Sequence, residues 1–288
     1  MLAVIPYFAL RVYRPEILGT ELPLDPWAIL VCIGFVVGLE VARARAIRFG
    51  LDVRDIVDGA VFTVVMGFVV AHVVTVVGYF PERMKIPECT AGDTAACWEG
   101  VMSILRVWDG FSSTGGFIGA VLGAWLFYNV IRKRPALRHA DIITYGFPFG
   151  WFFGRLGCAS VHDHIGRETT FPLAMDFDWG LQDFYWYNGD PAPWVSGVRH
   201  ELGMYEAAYM IPVMAIFWWL GRVDRPPGFF LAWFAILYAP VRFVLDFLRN
   251  VDLDHQDARY FAFSPIPLTV IVLVASLALL FRGDQIER

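Results

Sequence analysis

Arg155 and Arg242 are the two residues of this chain that most need a chemical reason. Arg155 stands in Gly154-Arg155-Leu156-Gly157-Cys158, and Arg242 stands in an apolar run that begins near Tyr238. A guanidinium carries five donors in a planar fork, which matches a phosphate in two-pronged fashion. Glycines beside it, Gly157 among them, let a ligand or another backbone come close. Arg155 could equally anchor a helix end, its head snorkelling to a membrane surface. Tyr238, Arg242, Asp246 and Arg249 follow one another at helical spacing and form one polar stripe. Either Arg242 and Asp246 satisfy each other at a helix contact, or the stripe is a wet cationic wall for an anionic headgroup.

Other polar groups sit at the starts of apolar runs. His200, Tyr205 and Glu206 open one, and Glu206 is placed to neutralise an arginine. Thr114-Gly115-Gly116 opens another. Glycines at a helix start can offer free amides to an anion, or can serve close helix packing. His162-Asp163-His164 places two imidazoles around a carboxylate. Alternating residues ligate one ion only on an extended strand, and no further ligand cluster is evident, so no metal is expected. Glycine-rich nucleotide loops, the Gly-x-Ser-x-Gly elbow and His-Glu-x-x-His are absent.

The elements that must position these groups follow from composition. Of 288 residues, 57% are apolar, 18% charged and 16% aromatic, and mean hydropathy is +0.53. A soluble domain has about 25% charged residues. The formal charge of −5 offers no basic surface for nucleic acid. Disorder and a disulfide-dense secreted scaffold are excluded as well. An all-α integral membrane protein remains, with one membrane domain over residues 1–288. Seven stretches are near the ~20 apolar residues a membrane helix needs: Pro26–Ala44, Ile56–Phe80, Gly115–Ile131, Asp141–Cys158, Met204–Leu220, Gly228–Phe247 and Ser264–Phe281. They lack the short alternating pattern of barrel strands.

Arginine and lysine are densest in the short segments around Arg43–Arg54 and Arg132–Arg138 and on the tail after Arg282. By the positive-inside rule the N-terminus is outside and the C-terminus inside. The segment Ser160–Gly203, rich in Trp, Tyr and Phe, reads as a small outer cap at headgroup level. Met1–Leu10 lacks a basic region and a cleavage site. It reads as a short interfacial helix rather than a signal peptide. Cys89 and Cys97 lie in one outer loop, where an oxidising compartment permits a disulfide, and Cys32 reads as a core residue of the first span.

Taken together, these segments resemble the prolipoprotein diacylglyceryl transferases of bacterial inner membranes. The family's His-Gly-Gly-Leu-Ile-Gly segment is similar to Thr114–Gly119. Its Gly-Arg-x-Gly-Asn-Phe-x-Asn-x-Glu-x-x-Gly-Arg signature aligns without gaps with Gly154–Arg167. Its His-Pro-x-Gln-Leu-Tyr-Glu matches at His200, Tyr205 and Glu206, and its Tyr-x-x-x-Arg-Phe-x-x-Glu-x-x-Arg at Tyr238, Arg242, Phe243 and Arg249. The departures are Thr114 for the histidine, Cys158 and Val161 for two asparagines, and Asp163 and Asp246 for two glutamates.

The resemblance implies seven transmembrane helices with a small periplasmic cap, in the inner membrane. It implies transfer of a diacylglyceryl group from phosphatidylglycerol to the lipobox cysteine of a prolipoprotein, with no cofactor. Arg155 and Arg242 would hold the phosphate. Tyr238, Arg249, Thr114, Gly115, Gly116, Gly157, Tyr205 and Glu206 would line the substrate site. Asp163, His162 and His200 are the candidates for the base that generates the thiolate. Two other readings stay open: a diverged relative that binds lipid or modifies headgroups on the same scaffold, and a membrane transporter.

Overall fold

The computed structural model describes residues 5–8, 10, 13, 15–17, 20–21, 24–79, 98, 102, 112–177 and 195–253. The expected span Ser264–Phe281 and the Cys89–Cys97 pair lie outside the described residues. The chain divides into two compact units, residues 1–45 with 141–288, and residues 46–140.

The smaller unit is built on α2 (Val53–Val74), continued by a wider turn over Thr75–Tyr79, and α3 (Ser113–Trp125), widening over Leu126–Ile131. Gly115, Gly119 and Gly123 recur every four residues on α3 and lie against α2. A Cβ on Gly115 would come 2.7 Å from the Cα of Ala71, and one on Gly119 2.5 Å from the carbonyl oxygen of Met66. Such small-residue stripes let backbones approach where lipid removes the hydrophobic drive between helices. On α2 and its continuation, Val61, Val65, Val69, Val73 and Val77 form an exposed stripe. In water that face would lose about 25 cal/mol per Å² relative to burial, so it suits acyl chains. At the polar end, buried Asp55 meets Arg134 at 2.8 Å and Arg132 at 3.7 Å.

The larger unit carries α1 (Pro26–Arg48) as far as Arg45, α4 (Ala136–Val161) from Asp141 onward, α5 (Leu202–Leu220) and α6 (Phe229–Phe247). α1 and α4 cross at glycines: a Cβ on Gly150 would lie 2.6 Å from the Gly34 carbonyl oxygen, and Gly146 meets Gly38 in the same way. The start of α6 has no capping side chain of its own. Asp141 of α4 supplies it, its Oδ1 accepting from the amides of Phe230 at 2.7 Å and Leu231 at 3.0 Å. These bonds satisfy orphan donors of the first turn. Arg45 donates to the Gly221 carbonyl at 2.8 Å and lies over the rings of Tyr145 and Phe230.

Pro26–Arg48, Val53–Val77 and Phe229–Phe247 are long and apolar enough to cross a membrane, and Gly115–Ile131 is a shorter apolar helix. Their outward faces are apolar, and the fold is that of a mostly helical membrane protein. It is not all-α, however. A four-stranded sheet of order β1-β5-β6-β4 adjoins the ends of α4, α5 and α6. In it β1 (Ile5–Pro6) runs parallel to β5 (Met175–Asp176), and β6 (Val198–Glu201) is antiparallel to β5 and to β4 (Ile165–Glu168). Ile5–Pro6 is therefore strand, where an interfacial helix was expected. A strand of two residues has no period to read, and its partner is far away in sequence. Ile165, Met175, Phe177 and Val195 form the core beneath the sheet. A further short hairpin joins β2 (Glu16–Ile17) to β3 (Thr20–Glu21).

Candidate active site

Three helix ends and the sheet bring the polar residues together. α4 runs into β4, β6 runs into α5, and Gly166 of β4 bridges to Arg249 just beyond α6. Arg155 near the end of α4, Glu206 at the start of α5, and Tyr238 and Arg242 late in α6 therefore meet. One Glu206 carboxylate oxygen, Oε2, lies 2.8 Å from Arg155 Nε, and the other, Oε1, accepts from Arg242 Nη1 at 2.7 Å. The Tyr238 hydroxyl donates to Oε2 at 2.7 Å. Glu206 is fully buried, Arg155 is 3% exposed and Arg242 17%.

Two guanidinium groups share the one Glu206 carboxylate, and the Asp163 carboxylate acts on Arg155 from the turn after α4. An uncompensated charge among apolar helices is costly, and guanidinium forks held in this way are groups that could receive an anion. Arg155 is also held loosely. Its Nη1 reaches His164 Nε2 at 3.2 Å and Cys158 Sγ at 3.8 Å, and its Nη2 reaches the Tyr238 hydroxyl at 3.4 Å. Its Nε, although close to Glu206, is not aligned for a hydrogen bond. Charge-assisted bonds normally measure about 2.7–2.9 Å. The fork retains donors that a phosphate could engage. Trp151, one turn back on α4, lies under the guanidinium at 4.5 Å and fixes its plane.

Arg242 does not pair with Asp246. Asp246 faces Arg249 instead, at 3.3 Å. The four-residue spacing made both pairings available. What decides is Glu206, which is aimed at Arg242 from a neighbouring helix.

The turn after α4 completes the site. His164 Nδ1 lies 2.5 Å from Asp163 Oδ1. Loss of water raises the Asp163 pKa, but the charge His164 carries when its ring is protonated, its hydrogen bond and Arg155 outweigh this and hold it below the usual carboxylate range. Asp163 is thus a poor proton acceptor. The Cys158 sulfur, an Asp163 oxygen and a His164 nitrogen lie within 4.8 Å of one another. This corrects the expectation that no further ligand stands near the histidines: Cys158 approaches from the last turn of α4.

Other candidates go elsewhere. His162 is fully buried, its Nε2 2.5 Å from the Phe8 carbonyl oxygen and its Nδ1 3.4 Å from Glu201. It ties the N-terminal segment to the sheet and cannot meet a substrate thiol. His200 Nδ1 is 3.1 Å from the Tyr205 hydroxyl, which donates to the Leu173 carbonyl. The pair also packs against the Phe171 ring. Gly157 packs on Trp27 of α1, with 3.3 Å available to a Cβ. The amides of Gly115 and Gly116 are engaged by Ser112, through its Oγ at 3.3 Å and its carbonyl at 2.9 Å. Neither is a free donor for an anion. The Thr114 side chain lies outside the description. His164 and Trp151 are the functional candidates that sequence spacing missed, although His164 adjoins Asp163.

The family model for prolipoprotein diacylglyceryl transferase matches residues 16–282. A phosphatidylglycerol–prolipoprotein diacylglyceryl transferase of Nitratidesulfovibrio vulgaris is 30% identical over 78% of this chain and 76% of its own length. The protein of that name from Chromohalobacter salexigens is 29% identical over 83% and 81% respectively. That of Erythrobacter litoralis is 33% identical over 55% and 53%. These extended matches agree with the ordered motifs around Arg155, Glu206 and Arg242, and the chain belongs to the prolipoprotein diacylglyceryl transferase family.

Proposed function

We propose that this chain transfers a diacylglyceryl group from phosphatidylglycerol to the thiol of a lipobox cysteine in a prolipoprotein signal peptide, releasing glycerol phosphate. The observation that carries the reading is the buried Arg155–Glu206–Arg242 arrangement, in which two guanidinium groups share one carboxylate. Its ligand is the anionic phosphodiester of a membrane lipid. Arg155 and Arg242 clamp the phosphate, Tyr238 completes the wall, and Arg249, itself buried, adds positive charge beyond the end of α6. As the carbon–oxygen bond breaks, negative charge grows on the leaving phosphate. Fixed guanidinium groups stabilise that charge more than they stabilise the ground state. The surrounding reading is a seven-span inner-membrane protein with its N-terminus and sheet on the periplasmic side, where lipid headgroup and signal peptide meet.

The test is to mix the purified protein, in vesicles containing phosphatidylglycerol, with a lipobox peptide. Mass spectrometry should find a diacylglyceryl thioether on the peptide, with stoichiometric glycerol phosphate in solution. Phosphatidylglycerol binding without peptide modification would replace the transferase reading with that of a lipid-binding relative.

A further inference from the structure

His164 is partnered in a way that fixes its proton. Its Nε2 lies 3.2 Å from Arg155 Nη1, and a guanidinium can only donate. Nε2 therefore carries a lone pair. The single proton of the neutral ring is on Nδ1, facing the Asp163 carboxylate at 2.5 Å. A carboxylate that holds one ring nitrogen protonated and leaves the other bare is the arrangement that turns imidazole into an oriented base. His164 is 18% exposed and so reachable, whereas His162 is sealed. The bond that occupies Nε2 comes from Arg155, the residue assigned to the phosphate above. When Arg155 turns to a phosphate, Nε2 is released beside the place where the phosphate binds.

From this geometry we infer that His164, oriented by Asp163, is the catalytic base that takes the proton of the substrate thiol. The inference rests on the transferase reading. Nε2 accepts the S–H proton, and the sulfur lone pair attacks the diacylglyceryl carbon. The carbon–sulfur bond forms as the carbon–oxygen bond to phosphate breaks, and the electron pair leaves with glycerol phosphate. The proton on His164 then passes to the departing phosphate or to water. Asp163 is the positioning residue.

The convergence of Cys158, Asp163 and His164 also offers three ligands to a divalent ion. The donor pattern disfavours this. A cation on Nδ1 would displace the proton to Nε2, where it would point at another donor, Arg155 Nη1.

The test uses two lipobox peptides, one with cysteine and one with selenocysteine, whose selenol is already ionised at neutral pH and needs no base. His164→Ala should lower transfer to the cysteine peptide by roughly 10²–10⁴-fold. It should lower transfer to the selenocysteine peptide by less than about tenfold, and added imidazole should restore part of the loss. Asp163→Asn should show the same peptide dependence with a smaller loss. Retained binding of phosphatidylglycerol vesicles by both variants would accompany these results. Equal losses on the two peptides with no imidazole rescue would overturn the base role and leave His164 structural. A stoichiometric metal, lost in His164→Ala and required for turnover, would overturn it in favour of a metal centre. Inactivity of the unaltered protein on both peptides would instead overturn the transferase reading, and the base role with it.

Discussion

Glu206 and Arg155 meet at 2.8 Å between two helices, with 0% and 3% of their side chains exposed. The same carboxylate holds Arg242 at 2.7 Å with its other oxygen. One acidic residue thus fixes the spacing of two guanidinium groups from separate helices, and that spacing is what a phosphate would read.

Glu206→Gln removes the charge and keeps the shape. It leaves two buried arginines facing each other. Breaking a buried pair in this way costs about 3–5 kcal/mol. A fall of that size is expected in stability, measured by denaturant unfolding in detergent, together with loss of transfer. Unchanged stability would mean that Glu206 does not compensate the arginines.

Arg242→Lys keeps the charge and loses the fork. If Arg242 grips a phosphate with two donors, transfer should fall by one to two orders of magnitude, a loss of about 1.4–2.8 kcal/mol. The fold should survive, since an ammonium can still face Glu206. Full turnover in this variant would remove Arg242 from the phosphate site.

Gly115 and Gly116 should separate packing from substrate contact. A Cβ at Gly115 meets the Ala71 backbone at 2.7 Å, whereas one at Gly116 meets nothing within 4 Å. Gly115→Ala should destabilise by about 1–3 kcal/mol, as overpacking does. Gly116→Ala should be neutral or stabilising by up to about 1 kcal/mol through helix propensity. Loss of transfer in a stable Gly116→Ala protein would return that glycine to the substrate site.

Glu201 gives a signed pH prediction. Burial raises its pKa above the usual carboxylate range, against the opposing hydrogen bond and charge of His162. From about pH 4.3 upward the unfolded chain releases a proton that the folded chain still holds. Stability from this group is therefore full below that pH and declines as pH rises through the folded value. Glu201→Gln removes the decline. The difference in Tm between variant and wild type should move in the variant's favour as pH rises above 4.3. A difference independent of pH would contradict the shift.

Topology is testable without the site. The density of Arg and Lys places a reporter fused after Arg288 in the cytoplasm and one inserted near Asp190 outside. A C-terminal reporter outside the cytoplasm would break the seven-span reading.

Composition and hydropathy alone established a helical membrane protein, because apolar runs near the length of a bilayer have few other uses. Four ordered motifs pointed to the family, and the types Arg155, Glu206, Tyr238 and Arg242 were legible as a candidate anion site. Helical spacing describes neighbours on one helix only. It offered Asp246 to Arg242, and could not reveal Glu206 arriving from α5 or Asp141 of α4 capping α6. The sheet was invisible for a related reason: two- and four-residue strands carry no period, and β1 pairs with β5 across most of the chain. His162 and His164 flank the same carboxylate in sequence. Only the tertiary structure sealed the first behind Phe8 and turned the second toward Arg155, because the left-handed backbone at His162, with φ of 51°, reverses the chain between them.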